Sequence, residues 1–370
     1  MPIELATNIG PIIPNIFARE GARLWNREAP LFRMAKKVMG HSSVVAWSAS
    51  NGGAVGSNVY VGEGEAVNTA NEFNVDDITA LTLSRAIVRN GFQISHTELA
   101  QVASMRPDMA ANIVVNRLKE AWTNNLTGVA RVLEKELLVG LGSATSNSTG
   151  SGVTGLFGLM SVFKPVITGT GSYAGKTVSS YSGLQPTVTN LAAGSLTTKA
   201  LDQLIAAMQT AAGSIRPNFI MCTPKSAIAL KQLGDQFIRL TANSSNPSLP
   251  WDLGLRDVAT PDQPLVTYSG IPVIQNSAWG SAYDGYFIVG NMDNLEIDIL
   301  PYGNWGDSLG GGTLVGVEGF NGLVQSNGVP FNTYAYAKQG SSVAFVQEAE
   351  LQLKIKAPNK FGLLYNVNVS

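Results

Sequence analysis

The sequence predicts a mixed α+β chain: one long helix, an α/β layer domain and several strand-rich stretches. Three observations carry this. A single apolar stripe runs at helical spacing from Val114 to Leu137. Helix-like and strand-like patterns alternate over residues 197–303. Period-two alternation recurs at 43–67, at 78–88 and after 313.

The N-terminal arm, residues 1–42, starts extended, because Pro2, Pro11 and Pro14 fix the backbone. Residues 17–38 then hold six bases and two acids, a local balance of +4. The bases are Arg19, Arg23, Arg27, Arg33, Lys36 and Lys37. That pattern fits contact with a polyanion and a solvated amphipathic arm equally well.

Residues 43–67 read as a long β-hairpin, with Val44, Val45 and Trp47 on one side, Val59 and Val61 on the other, and Asn51-Gly52-Gly53 as the turn. A two-stranded hairpin is marginal alone in water, so something outside it must hold it. A neighbouring subunit is the natural candidate. "ITALTLSRAIV" (78–88) is a half-buried strand. Ser95 and Glu98 then have capping-box spacing, which predicts a short helix start.

Pro107 opens the long helix at a position that tolerates proline. Val114, Leu118, Trp122, Leu126, Val129, Leu133 and Leu137 form its stripe, and Gly140 stops it after Val139. Its 107–139 span is roughly 50 Å long, a girder for other elements. Residues 141–198 carry no acid, only Lys164 and Lys176 as bases, and read as loop-rich.

From 197 the layer domain begins. "TTKALDQLIAAMQTAA" is a helix with Leu201, Leu204, Ile205 and Met208 on one face. "PNFIMC" is a buried strand. "TPKSAIALKQLG" is a helix capped by Thr223, started by Pro224 and ended by Gly234. "QPLVTYSGIPVIQN" gives two strands around a turn, and "DGYFIVGNMDNLEIDILPYG" two more. Residues 313–369 are mostly strand-like, with Asn-Gly at 321–322 and 327–328.

Composition narrows function. Hydrophobic residues make up 45% and charged residues 14% of the 370, against about 25% charged in ordinary domains. So little charge predicts a surface largely buried against other subunits. The net charge of −1 argues against a dedicated nucleic-acid reader. One cysteine, Cys222, excludes an intramolecular disulfide and a Cys-rich zinc site. The first residues lack a secretion pattern, and no apolar run reaches the ~18 residues of a membrane span.

Chemical motifs are few. "GTGSYAGKT" (169–177) misses a phosphate-binding loop by one glycine position, and no apolar-periodic helix follows it. His41 and His96 come with no nucleophile or metal pattern. Cys222 reads as packing. Glu296 and Asp298 share one side of "LEIDIL", a pair expected on a solvated strand face. No catalytic residue, cofactor or metal is expected.

The order of arm, hairpin, strand, capped spine helix, Gly-rich exit, α/β domain and closing strands resembles the major capsid proteins of tailed bacteriophages, with their Hong Kong 97-like fold. "ISHTELAQ" is similar to the family's approach to the spine helix. "LEKELLVGLG" and "TGLFG" (154–158) resemble the helix exit and its following turn. "FIMCTPKSAIALKQL", "YSGIPVIQN" and "YFIVGN" resemble the axial domain.

The resemblance implies a hairpin loop at 43–75, a peripheral domain at 76–196, an axial domain at 197–303 and a strand-rich return at 304–370. It implies copies of the chain as hexamers and pentamers in a phage head assembled in the bacterial cytoplasm. Packaged double-stranded DNA would meet the basic arm on the inner face. Trp47, Asn51, Gly52, Val59 and Val61 would contact a neighbouring subunit. Gly270 and Pro272 would shape the axial turn. Portal, decoration or cement proteins are implied partners, with scaffolding separate or absent, since about 42 residues precede the hairpin.

Some relatives crosslink a hairpin lysine to the next subunit. This chain has no lysine between Lys37 and Lys119, so no such bond is expected. Three other readings stand beside this one. They are an encapsulin-like compartment, a tail or neck component, and a nucleotide-binding hydrolase using the loop near Lys176.

Overall fold

A computed structural model describes residues 29–40, 42–50, 63, 78–95, 97, 100–101, 107–142, 155–212, 216–241, 257–260, 263–300, 314–315, 332–339 and 342–369. In chain order these begin with helix α1 (Pro30–Met34) and strands β1 (Lys36–Met39), β2 (Val44–Ser50), β3 (Ile78–Ser84) and β4 (Ala86–Ser95). Helix α2 (Pro107–Val139) and helix α3 (Met160–Thr168) follow, then β5 (Ser172–Tyr173), β6 (Lys176–Thr177) and β7 (Thr187–Asn190). Next come α4 (Thr198–Ala212), β8 (Phe219–Cys222), α5 (Pro224–Thr241), β9 (Asp257–Thr260), β10 (Gln263–Tyr268) and β11 (Ile271–Gln275). Strands β12 (Phe287–Gly290), β13 (Leu295–Leu300), β14 (Leu314–Val315), β15 (Asn332–Gln339), β16 (Ser342–Ile355) and β17 (Gly362–Tyr365) complete the fold.

The chain divides into two compact units. One takes 1–45, 84–158 and 296–354, the other 46–83, 159–295 and 355–370. In the first, α2 lies against β4, and Leu126, Val129, Leu133 and Leu137 of the predicted stripe are buried. Its sheet runs β1-β13-β16-β15-β14, with β4 also paired to β16 over ten register positions, Ala86↔Leu351 to Ser95↔Ser342. Phe92 stacks on Phe345 across that pair at 5.2 Å.

Gly140 ends α2, as expected, through close approach. A Cβ there would lie 2.4 Å from both Glu136 O and Leu156 O. The helix exit and the "TGLFG" segment bind each other: Leu141 bridges Phe157, and Gly142 N donates to Leu156 O at 3.0 Å.

The second unit is a seven-stranded mixed sheet, β7-β17-β12-β8-β11-β10-β9. Leu201, Leu204 and Met208 of α4 and Ala227 and Leu230 of α5 share one apolar cluster with Ile220, Cys222, Val273, Phe287 and Leu364 of the strands. Two strands, β7 and β17, come from outside 197–303, and the second returns from the C-terminal segment. Helix α5 starts as the sequence predicts, with Thr223 Oγ1 accepting from Ser226 N. It runs past Gly234 to Thr241. An interior glycine costs only about 1 kcal/mol and does not stop a helix without a cap.

Two expectations change. The stretch 141–198 contains α3, an apolar helix with Pro165 inside it. The strand expected at 78–88 breaks at Arg85 into β3, which pairs with β2, and β4, which pairs with β16. Residues 51–62, with Asn51, Gly52, Val59 and Val61, lie outside the described residues, as do His41, His96 and both Asn-Gly pairs.

Candidate assembly elements and their polar supports

The arm is locked onto the long helix by a carboxylate. Helix α1 has no side-chain cap of its own, and Pro30 occupies its first turn. Its exposed-by-geometry amides at Leu31 and Phe32 donate to Glu134 Oε1 at 2.7 Å and Oε2 at 3.1 Å. Glu134 is fully buried, as are Leu31 and Phe32 beside it. Glu134 sits beside the predicted stripe, next to Leu133 and four residues from both Ala130 and Leu138.

Lys37 follows the same arm inward. Its Nζ donates to Arg33 O at 2.7 Å and lies 5.0 Å from the Phe32 ring centroid. Burial lowers its pKa from 10.5 to about 8; the Arg33 charge lowers it further and Glu134 opposes both. Lys36 reaches Glu296 at 3.6 Å, while Arg33 is exposed. Arg19, Arg23 and Arg27 lie outside the described residues.

Glu296 and Asp298 do share a strand side, and that side is covered. Glu296 is 4% exposed and pairs with Lys354 at 3.1 Å. Asp298 Oδ1 accepts from Arg85 Nη2 at 2.5 Å, and the Arg85 side chain is 1% exposed. The solvated face expected from alternation is therefore an interior ion-pair layer. Parallel pairing with β1, Lys36↔Glu296 and Val38↔Asp298, sets the arm beside this strand in the same sheet. Gly40 leaves the necessary space, since a Cβ there would fall 1.7 Å from Arg85 Nη2.

Gln352 joins three segments of the same unit. Its Oε1 accepts from Phe157 N at 2.9 Å and its Nε2 donates to Ser84 O at 2.8 Å. Further along β16, Asn90 donates to Asn125 Oδ1 at 2.8 Å, and Asn125 donates to Gln347 Oε1 at 2.7 Å. Arg89 pairs with Glu348 on the strand opposite.

In the second unit, Trp47 of β2 is half-buried, its ring 6.3 Å from that of buried Tyr173. The β10–β11 hairpin turns on Ser269 and Gly270, at φ +50° and +76°. Positive φ at both central residues is the type I′ pattern that matches strand twist. Pro272 lies beyond the turn, in β11, opposite Thr267.

The chemistry available is slight. Lys176 lies in register with Tyr173 in the β5–β6 hairpin, after the Ala174-Gly175 turn, and its Nζ sits 6.0 Å over the Tyr181 ring. Only a three-residue 3-10 turn follows, so no stack of helix amides faces the loop. Thr223, Ser226 and Asp284 form a hydrogen-bonded cluster with no histidine in it. Burial pushes the Cys222 thiol up, away from thiolate chemistry. Among the described residues no group of three metal-ligating side chains occurs, and no helix is long and apolar enough to cross a membrane.

The structure resembles shell proteins. It matches the "Cyanophage A-1(L) capsid asymmetric unit" with TM-score 0.63 and 16% identity, covering 92% of this chain and 93% of that one. It matches the holo-SrpI encapsulin complex of Synechococcus elongatus with TM-score 0.52 and 11% identity, over 93% and 90%. It matches the capsid of an empty GTA particle with TM-score 0.52 and 12% identity, over 91% and 89%. These likenesses establish the Hong Kong 97-like fold. No curated protein matches the sequence. The model of the SU10 major capsid protein family matches residues 18–246, more than half of the sequence. The chain belongs to the SU10 major capsid protein family, and its role is structural, in a phage capsid shell.

Proposed function

We propose that copies of this chain close, as hexamers and pentamers, into the icosahedral head of a double-stranded DNA tailed phage, and that it catalyses no reaction. The family match over 18–246 carries this reading. The chemistry of the described residues supports it: carboxylates and hydroxyls are engaged in holding segments together.

The arm, residues 1–42, faces inward. Its arginines Arg19, Arg23, Arg27 and Arg33 meet DNA phosphates without reading sequence. Lys37 donates to the carbonyl of Arg33 and contributes less, while the side chain of Lys36 is largely exposed beside Glu296. The segment 43–75, with Trp47, Asn51, Gly52, Val59 and Val61, overlaps a neighbouring subunit. Residues 84–158 and 296–354 form a peripheral domain, and 159–295 with 355–370 an axial domain whose Gly270–Pro272 hairpin lies near the capsomer axis. Assembly takes place in the bacterial cytoplasm, with portal, decoration or cement proteins as partners. The encapsulin likeness is one of fold, and no described feature favours a cargo groove.

Electron microscopy of the purified protein tests this, followed by nuclease treatment of particles from infected cells. Closed shells holding nuclease-resistant DNA are expected. Small oligomers, tubes, or shells that hold enzyme cargo and no DNA would contradict it.

A further inference from the structure

We infer that the segment Asn276–Tyr286, with Tyr365, is a contact surface for a second copy of this chain. The inference rests on the capsid reading and goes beyond it by naming the surface.

The segment is held rigidly from behind. Asn276 is buried, its N donates to Cys222 O at 2.9 Å, and its Oδ1 accepts from Ala278 N at 3.0 Å. Two 3-10 turns follow, Ser277–Trp279 and Ser281–Tyr283, joined by Gly280 at φ +74°. Trp279 is 1% exposed and anchors the segment, with the Tyr283 ring 6.0 Å away. Gly285 N donates to buried Ser226 Oγ at 2.8 Å, and Asp284 accepts from Thr223 Oγ1 at 2.7 Å. These bonds fix the far end against the start of α5.

The outward side is aromatic and small. Tyr283, Tyr286 and Tyr365 are half-buried and form a chain of rings, 5.3 Å and 5.8 Å between centroids. Ser277, Gly280, Ser281 and Ala282 are exposed around them. Residues 276–283 contain no charge. Burial raises the phenol pKa of Tyr283 and Tyr286, and Tyr286 is raised further by Tyr283 and Tyr365, so the rings stay neutral. Asp284, the one charged residue within 276–286, is already bonded to Thr223.

Tyrosines on a preformed backbone lose little entropy on contact, and small residues let a partner approach closely. Aromatic enrichment with charge depletion is the composition of interface cores. A DNA backbone would need cations here, which 276–283 does not supply. The remaining partner that a capsid shell provides in quantity is another copy of the chain.

Tyrosine modification read by mass spectrometry tests this on the wild-type chain, comparing unassembled subunits, empty shells and DNA-filled shells. The expected result is about tenfold slower modification of Tyr283 and Tyr286 in both kinds of shell. Ala282→Arg should also leave a folded, soluble subunit with a critical assembly concentration raised about tenfold or more. Shells that form while both tyrosines stay fully reactive would overturn the inference and leave the capsid reading intact. Protection only in DNA-filled shells would overturn it in favour of DNA. A wild-type chain that forms no shell would overturn the capsid reading, and the inference with it.

Discussion

Arg85 carries its charge into an interior where its Nε and Nη1 have no hydrogen-bond partner among the described residues and Asp298 supplies the counter-charge. A charge buried in this way depends on its one partner. Asp298→Asn leaves the guanidinium uncompensated and should destabilise the fold by about 3–5 kcal/mol. The double change Arg85→Met with Asp298→Leu should cost much less, because it removes both charges. Denaturant unfolding of the three proteins decides it; a double variant as unstable as the single would contradict the account. Lys37 gives a second check. Its folded pKa of about 8 lies below the ordinary 10.5, so the folded state holds fewer protons between them. Stability should therefore rise with pH through that window and fall back as pH drops through 8. Lys37→Met should flatten this dependence; an unchanged pH profile would show that the side chain is solvated.

At the scale of elements, one carboxylate holds the arm to the long helix. Glu134→Ala removes the acceptor for two buried amides, a loss of about 3 kcal/mol. Cleavage by trypsin at Arg33 and Lys36 should then rise about a hundredfold, if it follows local opening. Glu134→Gln, which keeps one acceptor, should fall between; unchanged cleavage would mean that the amides do not rely on Glu134. Deleting residues 46–62 should leave soluble subunits that build no stable shell, and intact particles from that deletion would remove the segment from the assembly scheme.

Helix α2 was legible in the sequence because its stripe extends over many turns and Pro107 and Gly140 bound it. Helix α3 was not, because it is apolar on most sides and carries Pro165. Alternation told that Glu296 and Asp298 share a side. It did not tell that the Arg85 and Lys354 side chains cover that side, because these partners lie far away in sequence. Glu134 was legible in principle, as an acid at core spacing, but its partner is backbone and leaves no side-chain pattern to read.

For the whole molecule, the scarcity of charge and the neutral tyrosine surface have one explanation: free energy of burial is completed between copies. The most direct test is the mass of the purified chain in dilute neutral buffer, by sedimentation and electron microscopy together. The account predicts capsomers and closed shells, with isolated subunits a minor species. A stable monomer that remains monomeric at every accessible concentration would contradict it.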